Sequence, residues 1–160
     1  LTCATADKTA TPAMLHAAAA AALLPPPADP TMKGCAFTSC HDNSSHKAML
    51  ILDGTMTDLN ALLVGKASCE SSLKLVDTTT GEASLTNSWL WQKLTAPCDS
   101  TGIIASQTAW GAPKTGCGQG PGEAFGLRMP WSHTALPLGG DNLDKLKAVR
   151  NWICAGAPKP

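Results

Sequence analysis

The sequence predicts an all-α fold with long loops and an N-terminal Ala-rich helical extension. Three observations point to it. Apolar residues recur at helical spacing around 59–63, 84–94 and 143–153. The 13-residue run Pro12–Leu24 is mostly Ala and Leu and is bounded by helix start and stop signals. Residues 95–128 are poor in apolar side chains and rich in Gly, Pro, Thr and Ser, which reads as a long loop.

Each element has a local cause. Thr11 is a suitable N-cap, Pro12 suits the first helical position, and Pro25-Pro26-Pro27 stops the helix and forms a stiff connector. His16, within that helix, is expected at the surface. Met49–Leu52 is an apolar run broken by Asp53-Gly54. Thr57-Asp58 opens a short helix with Leu59, Leu62 and Leu63 on one face and Gly65 at its end. Leu73, Leu75 and Val76 suggest an extended piece, and Thr78–Gly81 a turn. Ser84–Leu94 reads as one helix. Trp89 and Trp91, two apart, cannot share a helical face, so one is expected buried and the other partly exposed. Asp141 caps the last helix, Leu143, Leu146, Val149 and Ile153 form its apolar stripe, and Gly156 and Pro158 end it.

Bulk properties narrow the function. At 160 residues the chain can bury a real core. Its formal charge is zero and only 15% of residues are charged, so neither a nucleic-acid footprint nor strong long-range steering is expected. A mostly apolar run of 13 residues is too short to cross a membrane, which takes roughly 20. The start at Leu1 rather than Met suggests a processed or partial product. Seven cysteines point to an oxidising compartment, periplasmic or extracellular. Membrane association would then come through partners or a lipid anchor.

The chemistry concentrates in Cys35-Ala36-Phe37-Thr38-Ser39-Cys40-His41. Two thiols and an adjoining imidazole are what covalent haem attachment requires: each sulfur joins one vinyl group, and His41 becomes the proximal iron ligand. The usual spacing has two residues between the cysteines, and four is a longer variant. A zinc site or a local disulfide would use the same residues. Arg128-Met129-Pro130 supplies a soft thioether in a locally extended setting, and a His/Met pair raises the reduction potential of haem iron. Met129 could equally fill a gap in the core. His133, His46 and, more distantly, His16 are rival distal ligands. One haem is expected, since there is no internal repeat and no second Cys-His pair. Five cysteines then remain; Cys98–Cys117 is the first pairing expected and Cys69–Cys154 the second, leaving Cys3 spare.

The order of several short pieces resembles single-haem c-type cytochrome domains of exported bacterial proteins from myxobacteria and planctomycetes. The pieces are Gly34-Cys35 to His41, Leu63-Val64-Gly65, Asn87-Ser88-Trp89-Leu90 with Lys93-Leu94, Arg128-Met129-Pro130, and Trp152-Ile153 with Ala155–Pro158. The resemblance runs from about Cys35 to Pro158 and implies a cytochrome c-like fold; residues 31–160 are read as that haem domain, and the helical extension and Pro-rich connector over 1–30 depart from the family pattern. It implies one haem c held by Cys35, Cys40, His41 and Met129. One-electron transfer follows, by a carrier or a subunit of a larger redox complex, with redox proteins as partners. No acid–base constellation suggests an enzyme. The competing expectation is a disulfide-rich structural or binding module without haem.

Overall fold

The computed structural model describes residues 1–24, 58–97, 103–104, 108–112, 117, 125 and 141–160, with the backbone alone at 141–142. Among these residues the regular structure is helical, and isolated β-bridges join Val64 to Val76, Ala67 to Lys74 and Lys74 to Ser88.

Helix α1 spans Pro12–Leu23. Thr11 Oγ1 accepts the Met14 N–H at 3.3 Å, the N-cap its sequence calls for. Leu15, His16, Ala19 and Leu23 form the buried face, which packs along helix α5, Asp141–Cys154. Three members of the expected α5 stripe, Leu146, Val149 and Ile153, are buried, joined by Trp152, while Leu143 is half-buried. The end of α5 follows from backbone hydrogen bonding. Gly156, at φ +83°, donates to Ile153 O, and Ala157 N–H reaches Trp152 O at 2.9 Å, so two otherwise orphaned carbonyls are satisfied. A Cβ at residue 156 would also stand 3.1 Å from the Thr80 methyl, which would have to give way, so space as well as the backbone angle favours glycine.

The N-terminal segment is tied to α5. Arg150, almost fully buried, donates to Thr5 Oγ1 at 2.7 Å and Thr5 O at 2.9 Å, and also to Asn151 Oδ1. Cys3 forms a disulfide with Cys154, and its N–H donates to Glu82 Oε1. The expectation of a spare Cys3 is thereby corrected. Because α1 runs along α5, the turn before α1 lies at the C-terminal end of α5, beside Cys154.

The segment 84–94 is two helices rather than one. Helix α2 is Leu59–Leu63, capped by Asp58; α3 is Glu82–Asn87 and α4 is Trp89–Thr95. Ser88 breaks the run with an extended backbone (φ −96°, ψ 113°). The first N–H groups of α4 have no intrahelical acceptor, and the carbonyls of Lys74 and Leu75 accept those of Trp89 and Leu90 at 2.8 and 2.9 Å. Ser88 Oγ donates to Ser84 O and accepts the Asp77 N–H, which secures the break from both sides.

Two hydrophobic clusters result. An aliphatic one gathers Leu15, Ala19 and Leu23 with Leu59, Leu63, Leu90, Leu94, Trp152 and Ile153. An aromatic one gathers Trp89, Trp110 and Phe125 with Ala96 and Ile104. Helix α4 lies between them, so Trp91 faces the first and Trp89 the second. Both tryptophans are buried, contrary to the expectation that one would be partly exposed. A helix walled on two sides has no solvent face at either position. Among the described residues, no helix is long and apolar enough to cross a membrane.

Candidate functional site

The residues read as haem anchors and ligands, Cys35, Cys40, His41 and Met129, lie outside the described residues, as do His46 and His133. The disulfides bear on them indirectly. Cys69 pairs with Cys117, and Cys3 with Cys154. Both expected pairings, Cys98–Cys117 and Cys69–Cys154, are corrected. The reason is tertiary: Ser72 N–H and Oγ both donate to Trp110 O, at 3.0 and 2.9 Å, drawing the 108–112 turn onto the segment that carries Cys69. Gly111 sits so close there (φ +75°) that a Cβ would come 2.9 Å from Ser72 Cβ. Three cysteines, Cys35, Cys40 and Cys98, stand outside these two bridges. Both thiols of the Cys-x4-Cys-His stretch are therefore free of them. Two thiols, an imidazole and a thioether form a donor set whose chemistry fits haem c.

His16 is the rival ligand that the structure describes, and its placement corrects the surface expectation: it is only 4% exposed. Its ring meets Trp152 edge-on at 6.3 Å. Among the described residues Nε2 has no hydrogen-bond partner, and the Asp58 Oδ1 atom lies 4.0 Å away. That oxygen already accepts the N–H groups of Asn60 and Ala61 as the cap of α2. Helix α1 is apolar around its whole circumference, so its sequence carried no signal of which side would be covered. Among the described residues, no three His, Cys, Asp or Glu side chains gather into a group that could hold a metal ion.

The aliphatic cluster also joins segments distant in the chain. Leu63, Val64, Leu90, Leu94, Trp152, Ile153 and Ala157 all belong to the aliphatic cluster or pack on it. Stretches separated by up to ninety residues of chain are thus one packed unit.

The polar group that sequence reasoning missed lies in the aromatic cluster. Lys93 and Glu70, each about 8% exposed at the side chain, form an ion pair at 2.9 Å. Trp89 Nε1–H donates to the same carboxylate at 3.0 Å, and the ammonium lies 5.7 Å from the Trp89 ring centre. Lys93 Nζ also donates to the backbone carbonyl of Phe125 at 3.0 Å. Phe125 is fully buried, with Trp110 at 5.4 Å and Trp89 at 5.7 Å. Ser68 Oγ accepts the N–H groups of Glu70 and Ser71, which shapes the turn that aims Glu70 inward. A sequence signal existed only in part: Trp89 and Lys93 are one helical turn apart, but Glu70 and Phe125 are distant in the chain.

No family model, no curated protein and no solved structure matches the chain.

Proposed function

We propose that this protein transfers single electrons through one haem c, covalently held by Cys35 and Cys40, with His41 as proximal and Met129 as distal iron ligand. The fold would be cytochrome c-like, and the chain would act as a carrier or as the cytochrome subunit of a larger redox complex. The observation that carries this reading is the Cys35-x4-Cys40-His41 stretch, with neither thiol drawn into the disulfides Cys3–Cys154 and Cys69–Cys117.

Bound haem would supply a one-electron ferric/ferrous couple. The chain supplies the rest. Thioether bonds from Cys35 and Cys40 would keep the group attached outside the cell. The imidazole of His41 and the soft sulfur of Met129 would favour the ferrous state and raise the potential. An apolar surround would exclude water and strengthen that bias. The two disulfides accord with a periplasmic or extracellular location, where thiols are oxidised. Redox proteins are the partners expected.

The intact mass of fully matured protein tests the reading. One added haem is expected, with Cys35 and Cys40 blocked to alkylation. A haem-free mass would instead favour a disulfide-rich structural or binding module, the alternative for which the two bridges themselves speak. Within the haem reading, the orphaned Nε2 of His16 supports a second assignment of the distal ligand. Met129→Ala should lower the potential and open the iron to added ligands. If the potential holds in Met129→Ala and falls in His16→Ala, the ligand is His16.

A further inference from the structure

We propose that His16 Nε2 and the Asp58 carboxylate are two ligands of a site for a divalent first-row transition cation, with the Asn60 carboxamide oxygen as a third donor from the same turn of α2. The site is built wholly from described residues and stands apart from the haem reading. It competes only with the second assignment above, His16 as distal iron ligand.

His16 is the one polar side chain of α1, and it is buried rather than turned to solvent. Its Nε2 has no hydrogen-bond partner among the described residues. An unpaired imidazole nitrogen in an apolar core costs free energy, and an aliphatic side chain against Trp152 would avoid that cost. Asn60 repeats the pattern. Its Nδ2 donates to Ala157 O at 2.6 Å, which fixes the carboxamide, since the opposite orientation would set two carbonyl oxygens against each other. Asn60 Oδ1 is thereby left buried, also with no partner among the described residues. Two unpaired lone-pair atoms thus belong to α1 and α2, and the Asp58 carboxylate, two residues from Asn60, lies 4.0 Å from the first of them.

Such a set calls for a positive charge. Nε2 and Oδ1 offer lone pairs, Asp58 offers a negative charge, and the N–H groups of Asn60 and Ala61 are already spent on Asp58 Oδ1. One imidazole, one carboxylate and one amide oxygen are donors that first-row divalent cations accept. Bonds of about 2.0–2.1 Å at a tetrahedral angle would set Nε2 and a carboxylate oxygen about 3.4 Å apart. At 4.0 Å, the two need close by only ~0.6 Å. Asp58 can supply that movement, because its side chain is 56% exposed while that of His16 is 5% exposed. The same exposure gives the ion its entry path, and water from that side completes the coordination. A site of one His and one Asp with an amide oxygen does not require a trio of His, Cys, Asp or Glu. Bound there, the cation would tie together α1 and α2, which share the aliphatic cluster.

Calorimetric titration of the whole, chelator-treated chain with zinc tests the site. Wild type should bind one equivalent more than His16→Leu, which fills the same space without an unpaired nitrogen. Zinc held elsewhere, by cysteines or other histidines, is common to both proteins and cancels in the comparison. Asp58→Asn preserves the cap of α2, since Asn caps as well as Asp, and should lower the affinity of that equivalent at least about tenfold. Zinc should also raise the melting temperature of wild type by more than that of His16→Leu. Equal stoichiometry in wild type and a folded His16→Leu overturns the proposal. So does a wild type that binds no zinc, the result expected if a water molecule alone joined the two groups. If His16→Leu does not fold, Asp58→Asn decides: weakened affinity supports the proposal and unchanged affinity overturns it. Zinc undergoes no redox chemistry, so the titration reads the site whether or not haem is attached, and failure of the haem reading would leave its outcome unchanged.

Discussion

The two halves of the core are built on different principles. The aliphatic cluster joins α1, α2, α4 and α5 through Leu, Ala, Val and Trp side chains, and its charged neighbour Arg150 reaches outward to the N-terminal turn. The aromatic cluster is small, is assembled from single residues on α4 and three loop segments, and encloses the Glu70–Lys93 pair. Helix-on-helix packing needs little beyond matching apolar faces. Loops have no repeating face, so their positions must be fixed by individual contacts: a disulfide, a clamped ring, a charged donor on one carbonyl. The polar group therefore belongs to the half built from loops.

Removing each staple tests this contrast most strongly. Cys3→Ser with Cys154→Ser should destabilise the protein by about 5 kcal/mol, and Cys69→Ser with Cys117→Ser by about 4 kcal/mol, on loop-closure entropy alone for separations of 151 and 48 residues. Urea unfolding measures both. If loss of the shorter bridge costs more than loss of the longer one, the aromatic half depends on its staple beyond chain entropy, which would sharpen the distinction.

The next largest effect should come from breaking the ion pair. Lys93→Met leaves Glu70 as an uncompensated buried charge and should cost about 3–5 kcal/mol. Adding Glu70→Gln should recover part of that loss. Leu63→Ala in the aliphatic half should cost about 2–5 kcal/mol, with no partner substitution able to restore it. Equal costs for the single and double ion-pair variants would show that the charges are not coupled.

The smallest effect separates surface turns from both cores. The Thr79 hydroxyl, aided by the Thr79 N–H, holds the Asp77 carboxyl below its ordinary range against a smaller opposing effect of burial. A depressed carboxylate contributes stability that is complete above its ordinary pKa and is lost as pH falls through the lowered value. Asp77→Asn should abolish that acid-side loss. The group is half-buried at the rim of the fold and open to solvent screening, so the change should be under about 1 kcal/mol. A pH-titrated thermal melt of both proteins measures it, and an unaltered acid limb would break the assignment.

How much was legible follows the same division. α1 and α5 could be read with nearly their observed bounds, because Thr11, Pro12 and Gly156 act within a few residues of their own position. The break at Ser88 could not, since the acceptors that start α4 belong to Lys74 and Leu75. Burial of His16 was hidden by an alanine helix with no polar side to contrast against. Both disulfide pairings were missed because they depend on which segments lie side by side. Of the candidate site, the Cys35–His41 stretch stands out in the sequence because its residues are adjacent, and it lies outside the described residues. Met129 was singled out by local chemistry and favoured through family resemblance. The Glu70–Lys93–Phe125 anchor was invisible, its members being 23 and 32 residues apart.

The sequence by itself determined the ends of α1 and α5, that thiols abound, and which seven residues could bind a cofactor, for these depend on neighbours along the chain. Only the tertiary structure decided which cysteines bond, which tryptophans and histidine are covered, and which carbonyl receives a buried ammonium. Those outcomes depend on distances between segments, and a distance through space is set by packing the whole chain rather than by any stretch of it.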